Sequence, residues 1–265
     1  MPSLHANGLD IAYETTGSGP PLILLHGAST SGRASFAGQI AALAERFTLY
    51  LPAARGHGGT LWDAADGFEA AWLVDDVEAF ADGLGLTTFG LAGHSMGAMT
   101  ALGLAVRATE RVTSVVAAGI TTAREPRASV GLRLMDPARI RREDPAWAAE
   151  MDRTIDALQG AGAWARLLPA IAADIAVQPL LGPAELRSIA APTLVACGDR
   201  DPLVPVGQAW ELSRHVRHGS LFVAPDCGHD VLNRRPGLAL EAMRIFYGSS
   251  EATSFGADGP SEVRP

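Results

Sequence analysis

The chain has 265 residues, 48% of them apolar and 19% charged, enough to bury the core of one large globular domain and too apolar for a chain disordered throughout. Its formal charge of −8 leaves no basic excess to neutralise phosphates, so nucleic acid is not an expected partner. Two cysteines, Cys197 and Cys227, make neither a disulfide framework nor a zinc motif.

Asn7-Gly8 sits between two alternating segments, Ser3–Ala6 and residues 9–15, and predicts a hairpin turn. Pro20-Pro21 introduces Leu22-Ile23-Leu24-Leu25, a continuous apolar run suited to a strand buried on both faces. It ends in His26-Gly27. Helical spacing covers residues 33–46, and residues 47–51 form a further strand. Residues 69–84 repeat Trp72, Leu73, Val77, Phe80 and Leu84 with helical period, and Asp75, Asp76 and Asp82 fall largely on the other face. Residues 89–92 make a short strand leading into Gly93-His94-Ser95-Met96-Gly97. An Ala-rich helix follows to about Ala108, then the strand Val112–Ala118. Strands alternating with helices in this way predict a mainly parallel sheet covered by helices.

The rhythm breaks near Thr121. Residues 121–189 lose strand signals and become helical, Arg-rich and punctuated by Pro137, Pro145, Pro169, Pro179 and Pro183. This reads as a helical lid inserted into a core made from residues 1–120 and 190–248. The α/β pattern resumes with a strand at 193–197, a helix at 206–216, a strand at 220–223 and a last helix at 231–247. Residues 249–265, rich in Ser, Gly, Glu and Pro, read as a disordered tail.

Gly93-His94-Ser95-Met96-Gly97 matches the G-x-S-x-G nucleophile elbow, here placed between a strand and a helix. Glycine on both sides of the serine lets neighbouring backbone approach, and the helix starting at Met96 turns its N-terminal amides toward an oxyanion formed there. A serine hydroxyl needs a base. His229, in Asp226-Cys227-Gly228-His229, follows the last strand at its carboxyl end, the edge at which Ser95 also lies. His26 and His57 lie in Gly-flanked loops, His94 sits inside the elbow with its side chain directed away, and His5, His215 and His218 read as exposed. The acid that orients the imidazole is sought in Gly198-Asp199-Arg200-Asp201. Asp201 is favoured as the residue further along the loop, Asp199 reads as a local amide binder, and Asp226 is a minor third candidate.

The order Ser…Asp…His, with the blocks Leu24-Leu25-His26-Gly27-Ala28, Arg55-Gly56-His57-Gly58, Gly93 to Gly97, Gly198 to Asp201 and Gly228-His229, resembles the α/β-hydrolase family from Ile23 to about Phe246. The resemblance is to the group of small-molecule esterases, cofactor-free haloperoxidases, enol-lactonases and carbon–carbon bond hydrolases. It implies a mainly parallel eight-stranded sheet flanked by helices, an inserted lid, and an oxyanion hole from the backbone N–H groups of Ala28 and Met96. The family often has an aspartate two residues before the arginine of Arg-Gly-His-Gly. This chain has Ala53 there, which predicts a local loss of hydrogen bonding. Arg55, Gly56 and His57 could form an anion site, and a structural turn is the favoured reading.

The expected chemistry is acyl transfer from a small-molecule ester, lactone or related carbonyl to water, by Ser95, His229 and Asp201. Alternatives with the same three residues are carbon–carbon bond hydrolysis and peracid or haloperoxidase chemistry. A receptor built on the hydrolase fold is the alternative from another class. Trp147, Met151 and Trp164 are candidate pocket residues in the lid. No metal or organic cofactor is implied, because no His/Cys/Asp cluster has ligand spacing away from these three residues. No apolar stretch approaches the roughly 18 residues of a membrane span. Residues 1–10 lack the basic start and apolar run of a signal peptide, so the cytoplasm is the default location. Oligomeric state is not readable.

Overall fold

The computed structural model describes residues 1–248; the tail expected at 249–265 lies outside the described residues. Strands β1 (Ser3–Ala6) and β2 (Leu9–Thr16) form a hairpin whose turn, Asn7-Gly8, takes φ 49° and 73°. They are followed by β3 (Pro21–Leu25), β4 (Thr48–Pro52), β5 (Phe89–His94), β6 (Val112–Ala118), β7 (Thr193–Gly198) and β8 (Gly219–Ala224). These join into one sheet in the order β1-β2-β4-β3-β5-β6-β7-β8. All neighbours from β4 to β8 run parallel, and β2 is antiparallel to both β1 and β4.

The apolar runs have a packing reason. Ile23, Leu25, Leu91, Val115 and Val195 face a core that includes Val77, Leu102 and Leu212. Their sequence neighbours Leu22, Leu24, Ala92, Val116 and Leu194 face the opposite core, with Phe36, Val231 and Met243. A strand covered on both faces alternates sides without alternating polarity. The helices Ala70–Gly83, Met96–Arg107 and Val206–His215 cover the first face, and Pro236–Gly248 covers the second.

Two expected helices are broken. The segment 33–46 forms two short helices, Gly32–Ser35 and Ile40–Leu43. Between them the fully buried Gln39 donates its Nε2 to the carbonyl oxygens of Leu232 (3.0 Å) and Pro236 (3.4 Å), which a continuous amphipathic helix would not present. The segment 231–247 divides into Val231–Arg234 and Pro236–Gly248. Pro236 lacks an N–H and disfavours helical backbone at Arg235.

The loop carrying Ala53 is held by other groups than the missing aspartate. Thr60, 1% exposed, donates its hydroxyl to the Ala53 carbonyl (2.8 Å) and accepts the Ala12 N–H (3.0 Å). Arg55 makes two hydrogen bonds of 2.8 Å to Asp76 and stacks over Trp72, so its charge is spent within the fold. Thr60→Val keeps the shape and strips both backbone groups of their partner. Its expected cost is about 1–3 kcal/mol, read from the midpoint of urea unfolding at unchanged slope. A midpoint equal to wild type would show that the hydroxyl contributes nothing.

Between β6 and β7 lie the helices Arg127–Leu134, Pro137–Glu143, Pro145–Met151, Ala163–Val177 and Pro183–Ser188, among shorter turns. Among the described residues no single helix is long and apolar enough to cross a membrane.

Candidate active site

The chain departs in opposite directions after β3 and before β5, since β4 lies on one side of β3 and β5 on the other. The crevice at such a switch point is where open parallel sheets place ligands. Here it is bordered by residues 26–28 after β3 and by Ser95 after β5.

Ser95 adopts φ 53° and ψ −110°, immediately after β5 and before the helix Met96–Arg107. A non-glycine residue there is strained, and the strain persists only where the surroundings enforce it. The flanking glycines do so. A methyl group on Gly97 would lie 2.2 Å from the Leu25 carbonyl oxygen, and one on Gly93 would lie 2.2 Å from the Gly97 carbonyl oxygen. The Gly97 N–H donates to the His26 carbonyl (3.1 Å), and the Ser95 N–H donates to that of Ala118 (2.8 Å).

Three side chains predicted from the sequence meet at this turn. Ser95 Oγ lies 2.9 Å from His229 Nε2, and His229 Nδ1 lies 2.8 Å from Asp201 Oδ2. The Asp201 side chain is fully buried, and its Oδ1 accepts the N–H groups of Leu203 (2.8 Å) and Val204 (3.2 Å). A carboxylate oxygen facing Nδ1 fixes the proton there, which leaves the Nε2 lone pair to accept from the serine hydroxyl. The other acids are elsewhere. Asp199 accepts the Cys227 N–H (3.0 Å), which holds its carboxyl below the usual range and ties the loop after β7 to the loop bearing His229. Asp226 is exposed and paired with Arg200 and Arg235.

The N–H groups of Ala28 and Met96 have no hydrogen-bond partner among the described residues, and both residues border the same pocket as Ser95. Two buried histidines fix the turn that carries Ala28. His26 Nε2 accepts the Ala54 N–H (3.0 Å), so its proton resides on Nδ1 and goes to the Gly27 carbonyl (2.8 Å). His57 Nε2 is 2.7 Å from the Ala28 carbonyl and its Nδ1 is 3.1 Å from that of Arg55. Burial pushes His26 down to about 3, with the His57 ring adding to the effect, and burial also lowers His57.

His94 does not line the pocket at Ser95; its ring packs 5.3 Å from that of His229, with Nε2 3.3 Å from the His229 carbonyl oxygen. The turn at Ser95 swings the residue before it under the neighbouring strand ends. Burial, then proximity to His229, lowers His94 to about 4.

The pocket above Ser95 spans about 360 Å³, part of it open to solvent. Its apolar wall includes Phe68, Met99, Met135, Ile171 and Ile175. Trp147, Met151 and Trp164 are not part of it, which corrects the sequence expectation. Met151 and Trp164 are fully buried in an apolar cluster with Ile155 and Leu167, and Trp147 packs at its edge. Trp164 donates its Nε1 to Asp152 (2.6 Å), and the Arg141 guanidinium covers its ring. The residues that sequence reasoning missed are Arg127, Asp174 and Gln178, which line the pocket although each is less than 10% exposed. The one signal was a single carboxylate, Asp174, on the otherwise apolar face of the helix Ala163–Val177. Among the described residues, no group of three or more His, Cys, Asp or Glu side chains is placed to hold a metal ion.

Comparison with known proteins agrees with this architecture. The chain is 28% identical over 256 residues to a pimeloyl-[acyl-carrier protein] methyl ester esterase of Nitrosomonas europaea, covering 83% of this chain and 92% of that one. It is 28% identical over 258 residues to a 2-(acetamidomethylene)succinate hydrolase of Mesorhizobium japonicum, covering 87% and 88%. The crystal structure of the enol-lactonase from Burkholderia xenovorans superposes with a TM-score of 0.75 at 22% identity, over 94% of this chain and all of that one, which shows a shared fold. The model of the alpha/beta hydrolase family matches residues 22–242, which hold the parallel strands β3 to β8 and everything that borders the crevice, and the chain is therefore a hydrolase and a member of that family.

Proposed function

We propose that the chain is a serine hydrolase that transfers the acyl group of a small-molecule ester or lactone to water, with residues 121–189 as the lid over its site. The observation that carries this reading is the unbroken contact from Ser95 Oγ through His229 to the buried Asp201 carboxylate, beside two unpaired N–H groups. Ser95 Oγ attacks the substrate carbonyl as His229 Nε2 takes its proton. The developing oxyanion accepts from Ala28 and Met96 N–H. His229 then gives the proton to the leaving alcohol. Water enters, loses a proton to His229, attacks the acyl-enzyme carbon, and Ser95 leaves with its proton restored. Each oxyanion donor contributes about 10²–10³ in rate. Rigid support of the Ala28 turn by His26 and His57 is consistent with that requirement. Because the neutral imidazole is the base, turnover falls as the medium is acidified.

The names of the relatives favour carbonyl hydrolysis without selecting the acyl group. Carbon–carbon cleavage and peracid formation use the same three side chains, and no observation at this site favours either.

Treatment of the wild-type chain with a fluorophosphonate is expected to give one adduct per chain by intact mass, mapped by peptide analysis to Ser95. Full ester turnover with no adduct, or with an adduct elsewhere, would assign the nucleophile to another residue.

A further inference from the structure

One wall of the pocket above Ser95 is polar in a way that the acyl-transfer chemistry does not use. In the helix Ala163–Val177 and the residue after it, Ile171, Asp174, Ile175 and Gln178 recur at three- and four-residue spacing and turn to the pocket together. Arg127, from the first helix after β6, lines the same space. Arg127 is 8%, Asp174 9% and Gln178 6% exposed. Asp174 accepts the backbone N–H of Ala70, and the hydrogen-bonding capacity of the other two is largely unspent. Among the described residues Arg127 makes one long donation, 3.5 Å to the Thr121 carbonyl, and no ion pair. The Gln178 side-chain amide has no hydrogen bond among them. Arg127 and Asp174 attract one another without touching, and for each of them burial outweighs that attraction.

We propose that this wall, Arg127 with Asp174 and Gln178, binds a neutral amide group of the substrate, a carbonyl oxygen accepting from Arg127 and an N–H donating to Asp174, while the scissile carbonyl lies over Ser95. The inference rests on the hydrolase reading and names its substrate class. Charge decides between an amide and the simpler guess of a carboxylate. The wall already holds one cation and one anion. The next charges outward repeat that balance. Arg124 is spent on the carbonyls of Ile175, Ala176 and Gln178, and Glu69 is exposed. A substrate carboxylate would add a buried negative charge with no cation of its own, whereas an amide uses both charged groups and leaves the wall neutral. A hydrocarbon would leave both unpaired, and buried polar groups left without partners are what makes such sites reject analogues.

The test uses four ethyl esters of matched shape, followed by pH-stat: N-acetyl-β-alanine, 5-oxohexanoate (acceptor only), hexanoate (neither) and the glutarate half-ester (anion), with the series repeated one methylene shorter and longer. The expected kcat/KM for the wild type is highest for the amide, about 10²-fold above the hydrocarbon, with the ketone between them and the half-ester below the amide. Arg127→Gln is expected to reduce the amide-to-hydrocarbon ratio about tenfold. Asp174→Asn is expected to turn the preference toward the half-ester, because Arg127 is then the wall's sole charge. A flat wild-type profile, or one led by the hydrocarbon or the half-ester, overturns the inference and leaves the hydrolase reading standing. So does an Asp174→Asn variant that keeps its amide preference. Turnover of none of the esters overturns both readings. The wild-type series decides by itself if either variant fails to fold.

Discussion

Ser95→Ala is expected to lower kcat for ester hydrolysis by about 10⁶-fold and to abolish fluorophosphonate labelling. The residual rate belongs to the groups the substitution leaves in place, the Ala28 and Met96 N–H groups and the pocket, which together retain about 10³–10⁴ over water. The fold is expected to survive. The elbow is enforced by Gly93 and Gly97, where any side chain would collide with backbone oxygen at 2.2 Å, and alanine at position 95 meets the same backbone that serine does. His229→Ala is expected to cost a similar factor, and the double variant no more than either single one, because the two side chains act as a unit. The measurement is kcat for an ethyl or p-nitrophenyl ester beside a thermal melt of each variant. A Ser95→Ala protein within tenfold of wild type would remove Ser95 from the mechanism. Multiplicative losses in the double variant would show that His229 serves some other step.

Ser95 and His229 were legible because each is specified locally, by glycines at a turn and by position at the end of a parallel strand. The choice between Asp199 and Asp201 was harder, since both leave the same strand. Asp199 spends its carboxylate on the Cys227 N–H, and only Asp201 is buried with one oxygen held by two amides and the other turned to His229. The pocket wall was not legible. The helix Ala163–Val177 presents one continuous buried face. Its first half carries Trp164, Leu167 and Leu168 into the apolar cluster, and its second half carries Asp174 to the cavity. Periodicity reports that a face is covered and is silent on whether side chains or a cavity covers it, so the aromatic residues drew the reading to the wrong end of it. The break at Gln39 depends on carbonyls of Leu232 and Pro236, almost the whole chain away, and no local pattern encodes it.

Acidification from pH 7 to pH 5 is expected to remove about 4 kcal/mol of stability through His26 and His94 alone. Burial holds the folded-state values at about 3 and about 4, well below the ordinary 6.5. The unfolded chain therefore binds protons that the folded chain refuses, throughout the window from about 6.5 down to about 4. In that window unfolding takes up protons, so stability is complete above 6.5 and falls as the pH drops. The slope is about 1.4 kcal/mol per pH unit for each histidine once the unfolded form is fully protonated, and the two contribute about 2 kcal/mol each at pH 5. That is a large part of the roughly 5–15 kcal/mol typical of a native domain. Paired carboxylates such as Asp199 act only below their ordinary range near 4, so the two regimes separate on the pH axis. Urea unfolding at half-unit steps from pH 7 to 5 measures the slope. His94→Gln removes one titrating group and should reduce the slope by about 1.4 kcal/mol per unit near pH 5. Equal slopes in the two proteins would mean that His94 is protonated in the folded chain, and a wild-type stability that does not change across the window would mean that neither ring is held neutral by burial. The same burial that makes these rings acid-sensitive keeps them neutral while the site works: His26 grips the turn that presents Ala28, and His94 supports the backbone of His229. Acid therefore weakens the supports of the site together with the fold.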